Sequence, residues 1–536
     1  NYKICLELIT KTEETHCNKN PFQINRVKES EELRKINRRK MVQRIATQLT
    51  ANQAAKEDHL VKLVGHFGKW QFIVFSSVFL VKFSSGWVQM AILFLTPNFT
   101  FWCVKFSNNE TKFGLNSTCY DDCLEYNYDT SPFDNTIISE WDLICDRRWM
   151  ASFTQTVLQL GVLIGSILFG FLSDRYGRRY TFLLAVTAVI AFGLGIPFSP
   201  NYSVFTAQRF FLGVATAGTM VISFVIVMET IGSKYREILG SIFHMPFILG
   251  HLTVPLFAYY FRSWDAYTLA LAIPPVLYLG YFLLLSESPR WLISVGRVEE
   301  ATTIVKRAAK INKLPTNYVE ETLTKMSNEI TSKVEGPKAN YADLFRSTLR
   351  LKTLCSCFIW LVNGLTFFGF NQYIGQTSPN PFISVAAAGA IQIPSNLIAI
   401  WLIRQFGRKI TTISFLCLCG LCILTLGCVP DIFWLTLTLG TLGVSCAAVV
   451  SVAIYIHTSE LFPTVVRNMG VGACSTSMRV GSMIAPFISN ISMTVPWLPT
   501  VIFGFAPIAA GVICLWLPET KGTALPDSIE DIKSGD

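Results

Sequence analysis

The sequence predicts an all-α membrane protein with twelve transmembrane helices, arranged as two parallel six-helix repeats. Three observations carry that prediction. Apolar residues make up 51% of the 536-residue chain and charged residues only 15%, against about 25% charged in an ordinary globular protein. The apolar residues gather in twelve runs of membrane-spanning length. Three loop motifs occur twice, in the same order and at nearly one offset. With a mean hydropathy of +0.41, the composition excludes a disordered, fibrous or disulfide-scaffold chain. It also argues against a soluble enzyme, because a transmembrane helix needs roughly 20 mostly apolar residues and the runs are of that length.

The runs lie near 71–95, 150–172, 180–198, 204–228, 238–260, 267–285, 354–374, 382–403, 411–429, 432–457, 469–491 and 498–517. Hydrocarbon offers no partner to a backbone N–H or C=O, so each run must satisfy its own backbone as a helix. Barrel strands would alternate in segments of about 10 residues, and no such alternation is present.

Charge sets the direction of the spans. Residues 1–69 hold 14 Lys and Arg, whereas residues 97–148 hold 4 against 9 acids. The even-numbered connections are basic: Arg175, Arg178 and Arg179, then Lys234 and Arg236, then Arg404, Arg408 and Lys409, then Arg467. Both termini are therefore expected in the cytoplasm of a multi-pass plasma-membrane protein. The expected plan is a cytoplasmic tail over 1–69, a first half over 70–285, a cytoplasmic linker over 286–350, a second half over 351–517 and a tail over 518–536. The net charge of +9 follows from this bias and the basic N-terminal tail, so a nucleic-acid partner has little support. Residue 1 is Asn, not Met, which leaves the completeness of the N-terminus open. No signal peptide is visible, and the first span can serve for targeting.

The 97–148 loop is expected outside. It carries three N-glycosylation sequons, at Asn98, Asn109 and Asn116. It also carries Cys103, Cys119, Cys123 and Cys145, which in an oxidising compartment predict two disulfides in one of three pairings. The other eleven cysteines read as small buried apolar residues.

The repeat is legible in the loops. Asp174-Arg-Tyr-Gly-Arg-Arg179 is echoed by Arg404-Gln-Phe-Gly-Arg-Lys409. Glu229 with Arg236 is echoed by Glu460 with Arg467, and Ser286-Glu-Ser-Pro-Arg290 by Pro518-Glu-Thr520. The offsets are 230, 231 and 232 residues. Halves of the same direction are the parallel repeats known from transporters. Asp174, Arg175, Arg178, Glu229, Arg236, Glu287, Arg290, Arg408, Glu460, Arg467 and Glu519 are read as a cytoplasmic gate. Its carboxylates are expected to pair with bases of the other half and with helix N-termini. The alternative is topological, with basic loops simply holding the positive-inside orientation. In the linker, Val298–Asn312 and Tyr318–Ile330 read as amphipathic helices, serving either as a lock on the inner face or as a plain connection.

These motifs resemble those of the major facilitator superfamily. The chain is similar in particular to the organic ion transporter branch, which includes organic cation, organic anion and carnitine-type carriers. The likeness covers nearly all of 65–530. It rests on Trp141-Asp-Leu-Ile-Cys145, Gly170-Phe-Leu-Ser-Asp-Arg-Tyr-Gly-Arg-Arg179, Ser286-Glu-Ser-Pro-Arg-Trp-Leu292 and Ser459-Glu-Leu-Phe-Pro-Thr-Val-Val-Arg-Asn-Met-Gly-Val-Gly472, followed by Leu517-Pro-Glu-Thr-Lys-Gly522. In the second-half loop motif Arg404 replaces the usual acid and Ile400 the usual glycine, so weaker pairing is expected there. The resemblance implies alternating access, with the halves rocking about a central site.

Ionisable residues inside spans mark functional sites by default. Lys82 lies 11 residues into the first run, too deep for easy snorkelling. Ser85, Gly86 and Gln89 share its helical face. Arg479 is mid-span in the eleventh run, His244 and His251 lie in the fifth, and Gln392 and Asn396 in the eighth. No Asp or Glu falls in the interior of a run. Two buried cations without an acid favour a substrate bearing a carboxylate or sulfate. The alternative is pairing with backbone carbonyls and a wet cavity. The resemblance adds weight, since the position of Arg479 looks acidic in cation carriers and is usually Arg in anion and carnitine-type carriers. By resemblance His244, Phe247, Trp360 and Phe367 line the site, and Gln392 stands where an acid is common.

The expected function is therefore secondary active or facilitative transport of small organic ions, anions or zwitterions ahead of cations, by a monomer. The membrane potential opposes anion entry by about 2.3 kcal/mol per charge per 100 mV, so a co-ion or an exchange anion is implied. A ligand sensor on the same fold is the alternative of another class. Gly68-Lys69 is followed by Trp70, so no phosphate-cradling loop is present. No catalytic, metal or cofactor constellation appears.

Overall fold

The computed structural model describes residues 59–98, 100–106, 117–232, 235, 239–240, 242–332, 340–429, 432–463, 465–492 and 494–522. The chain divides into two units, Asn1–Lys62 and Leu63–Asp536, and the first contributes only residues 59–62 to the described part. Most of the N-terminal tail, with Arg236, Asn109 and Asn116, lies outside the described residues.

Twelve spans stand where the apolar runs predict them. They are Lys69–Leu95, Trp149–Tyr176, Arg178–Gly195, Tyr202–Thr230, Met245–Tyr260 and Trp264–Leu284 in the first half. The second half holds Ser347–Thr377, Pro381–Phe406, Arg408–Cys428, Phe433–Leu461, Arg467–Ile491 and Leu498–Cys514. Proline accounts for two departures. Span 5 is interrupted near its start: helical residues at 239–240 and 242 give way to a turn at Phe243-His244, and the helix resumes at Met245 with Pro246 in its first turn, where a missing N–H costs nothing. Span 6 is not one helix: it ends its first segment at Ala272, and Pro274-Pro275 open a tighter 3-10 turn to Gly280. Span 7 runs 31 residues, longer than its apolar stretch, because its first turns emerge from the membrane as a polar stem.

The halves are built alike. Spans 1 and 5 pack together, as do 2 and 4, 7 and 11, and 8 and 10. Small residues permit the close approaches. A Cβ on Gly86 of span 1 would lie 2.5 Å from the carbonyl oxygen of Phe247, and one on Gly481 of span 11 would collide with that of Leu361.

The two halves meet through spans 2 and 11 and spans 5 and 8. Their polar contacts gather toward the face that carries the 97–148 loop. Ser152 Oγ donates to the Pro486 carbonyl at 2.9 Å and Thr156 Oγ1 to that of Met483 at 2.7 Å. Arg148 and Asn490 exchange hydrogen bonds of 3.3 and 3.2 Å. Gln376 donates to the Thr96 carbonyl at 3.2 Å, and Asn98 to that of Gln376 at 2.7 Å. Phe94 stacks on Phe382 with ring centres 5.5 Å apart.

The loop itself forms a two-stranded antiparallel ribbon, β1 (Phe101–Phe106) and β2 (Cys123–Tyr128), which the apolar pattern does not announce. Of the three cysteine pairings, the structure has Cys103–Cys123 and Cys119–Cys145. The first bridge staples the ribbon and the second ties it to the approach to span 2.

The linker forms helices at Pro289–Ser294, Val298–Ile311 and Val319–Ser332. Asn312, just past the second, joins them to span 1: its Oδ1 accepts from Trp70 N at 2.9 Å, and its Nδ2 donates to the Val64 carbonyl at 2.7 Å.

Candidate functional site

Two charged clusters mark the face opposite the 97–148 loop, one in each half. The turn between spans 2 and 3 pivots on Gly177 at φ +101°, and the turn between spans 8 and 9 on Gly407 at φ +100°, a left-handed conformation that glycine adopts without penalty. A carboxylate then closes the N-terminus of the following helix. Glu287 accepts from Arg178 N at 2.8 Å and from Arg179 N at 3.1 Å. Glu519 accepts from Arg408 N at 2.9 Å and from Lys409 N at 3.0 Å. Burial works against the Glu519 carboxylate, but the N–H groups of Arg408, Lys521 and Lys409 outweigh it and hold its pKa below the usual range.

The arginines complete each cluster. Arg178 bridges Glu229 at 2.9 Å and Asp174 at 2.9 Å. Arg408 bridges Glu460 at 2.8 Å, and Thr520 adds a hydrogen bond of 2.6 Å to Glu460. Arg404 stands where Asp174 stands in the first half, so Arg408 lacks the second carboxylate partner of Arg178. Arg290 Nε donates to the Glu229 carbonyl at 2.8 Å, and Arg467 Nε to that of Phe462 at 3.3 Å. Arg175 lies over the Tyr176 ring.

These geometries correct one expectation. Asp174, Glu229, Glu287, Glu460 and Glu519 engage groups of their own half, not bases of the other. The motif residues are neighbours across one turn and the next helix end, and that local proximity wins. The structure joins the halves elsewhere, at the seam near the 97–148 loop.

The intramembrane residues converge in the middle of the bundle. Lys82 is only 3% exposed, and its Nζ lies 5.0 Å from the centre of the Phe243 ring. Lys82 on span 1 lies beside Phe243, the residue before His244 at the start of span 5, and Arg479 stands at the middle of span 11. Among the described residues, neither cation has a hydrogen-bonding or carboxylate partner for its end group. His244 is exposed and Phe247 half-buried, both at the start of span 5. Gln89 is buried beside Met220, its Nε2 3.3 Å from the sulfur.

Three residues are placed differently from the expectation of a lining. Trp360 is buried and donates to Thr458 Oγ1 at 2.9 Å, so it braces span 7 against span 10. Phe367 is likewise buried in the core shared by both halves. Gln392 bonds His251 Nδ1 at 2.9 Å, a contact of span 8 with span 5 that crosses the halves. In each case a polar or aromatic side chain inside a span found a neighbouring helix.

One residue escapes the sequence reading. Arg209 of span 4 is 2% exposed. One of its nitrogens donates to Gln155 Oε1 at 2.5 Å, and its guanidinium lies 5.7 Å from the centre of the Phe205 ring. The signal was available: Arg209 is a charged residue within the apolar run 204–228.

The comparisons with known proteins agree with this architecture. Residues 96–530 match the family described as sugar (and other) transporter. The chain is 33% identical over 434 residues to the organic cation transporter protein of Drosophila melanogaster, covering 79% of this chain and 77% of that one. It is 36% identical over 405 residues to solute carrier family 22 member 3 of Mus musculus, covering 74% and 72%. Member 6 of the same family from Danio rerio is 32% identical over 451 residues, covering 83% and 79%. The fold is that of the Escherichia coli xylose transporter XylE in an inward-open conformation, at a TM-score of 0.60 and 17% identity over 87% of this chain and 99% of that one. With twelve spans, two like halves and a polar site between them, the chain belongs to the sugar (and other) transporter family, among the solute carrier family 22 organic ion transporters, and is a multi-pass membrane transporter rather than an enzyme.

Proposed function

We propose that the chain moves small organic anions or zwitterions by alternating access, with Lys82 and Arg479 as the charges that receive them. The observation that carries this is the pair itself: two cations at membrane depth, from opposite halves, without a carboxylate partner among the described residues. Bringing like charges together in a low-dielectric site is costly. An entering anion relieves that cost, and a simple cation adds to it.

In this reading the 97–148 face is extracellular, bears the glycans and is closed, while the motif face is cytoplasmic and open. The charge bias of the loops supports the orientation, and the concentration of cross-half contacts at the 97–148 face supports the closure. Inward movement of an anion against the membrane potential then draws on an exchange anion or a co-ion.

The second reading is organic cation transport, and the likeness to the organic cation transporter protein of Drosophila favours it. Uptake in oocytes separates the two. Labelled organic anion, quaternary ammonium and carnitine are compared in wild type and Arg479→Asp. Anion uptake that falls about 10- to 100-fold in the variant, the cost of a charged hydrogen bond replaced by repulsion, supports the proposal. Quaternary ammonium uptake, unchanged or raised by Arg479→Asp, overturns it.

A further inference from the structure

We propose a second anion site at Arg209, inside the first half and separate from the pair formed by Lys82 and Arg479, that takes a small monovalent anion of the halide class. Three observations meet there. Arg209 is buried in span 4, and of its three guanidinium nitrogens Nε and Nη1 have no hydrogen-bonding partner among the described residues. Its one polar contact, Gln155 Oε1, is neutral, so no carboxylate balances the charge. Arg209 also lines a cavity between spans 1, 2, 3, 4 and 6, whose other walls are apolar except for Ser84 and Thr268.

An uncompensated buried cation is destabilising by several kcal/mol, and a guanidinium cannot shed its proton at any accessible pH. Water alone would satisfy the N–H donors but not the charge. A monovalent anion satisfies both. The Ser84 and Thr268 hydroxyls donate to backbone carbonyls of their own helices, so an anion there would rely on the guanidinium, or on those hydroxyls rotating away from their carbonyls to donate to it. The narrow choice of donors favours a small sphere over a carboxylate with a carbon tail. Arg479 lies on span 11 of the other half, so occupancy of the two sites is separable.

The test is thermal unfolding of the purified full chain, titrated with sodium chloride or bromide against gluconate at constant ionic strength. Wild type is expected to show a saturable, halide-specific rise in Tm. Arg479→Gln should keep that rise and Arg209→Gln should lose it. No halide-specific rise in wild type overturns the proposal. So does a rise that survives Arg209→Gln, or one lost in Arg479→Gln alone, which would place the anion at the central pair. Should Arg209→Gln fail to fold, crystals of wild type grown in bromide decide. An anomalous peak beside Arg209 supports the site, and its absence at saturating bromide overturns it.

Discussion

Glu519 shows how a single carboxylate can hold a turn. Four backbone N–H groups converge on it, from Arg408, Lys409, Thr520 and Lys521, and those of Arg408, Lys521 and Lys409 depress its pKa against the effect of burial. The linkage follows in sign: a depressed pKa stabilises the fold above the unfolded value of about 4.3 and loses that contribution as pH falls through the folded value. Glu519→Gln should therefore lower Tm at pH 7, and the gap to wild type should close as pH drops below 4, checked by melting both proteins across that range. Gly407 is tied to the same group. A Cβ there would lie 2.6 Å from Glu519 Oε2 with φ at +100°, so Gly407→Ala should cost about 1–3 kcal/mol of stability. The equivalent Gly177 meets Glu287 in the same way.

At the scale of elements, the linker divides its allegiance. Its helices Pro289–Ser294 and Val298–Ile311 adhere to the first half, through Trp291 Nε1 to the Asp174 carbonyl at 2.9 Å and through Asn312 to span 1. The turn Tyr341–Phe345 packs instead on spans 7 and 11. The two helices are therefore attached to the first half and the Tyr341–Phe345 turn to the second. Asn312 satisfies otherwise free backbone groups at the start of span 1, much as an N-cap does. Asn312→Ala should cost about 1–2 kcal/mol. Limited trypsin digestion should then cut the Val298–Ile311 helix, which carries Lys306, Arg307 and Lys310, faster than in wild type.

For the whole molecule, the seam near the 97–148 loop is the feature alternating access must break. Its hydrogen bonds are small and few: hydroxyls on carbonyls, one Arg–Asn pair, and the contacts of Gln376 with Thr96 and Asn98. Each such bond contributes about 1 kcal/mol net, few enough to be exchanged in a cycle. Apolar packing joins spans 1 and 5 and spans 7 and 11 inside each half, and a core shared by both halves adds Phe94 and Phe133 against Phe382 at the seam. Replacing Arg148 and Asn490 by cysteines and cross-linking them should arrest uptake, and reduction should restore it. Uptake that persists while cross-linked would mean the halves do not separate there.

The sequence by itself determined the spans, the repeat and the family. Hydrocarbon forces each long apolar run into a helix, and the loop motifs are local, with partners a turn or one helix end away. It also marked Lys82 and Arg479, because an ion at membrane depth stands out against its neighbours. The tertiary structure alone decided which cysteines pair, that His251 meets Gln392, that Trp360 braces a helix instead of facing the cavity, and that Arg209 is buried beside Gln155. Those outcomes depend on which helix a side chain meets and how far along it. Helical periodicity places a residue on a face of its own span. The opposing residue is chosen by how the spans pack, and no spacing within one run records that choice.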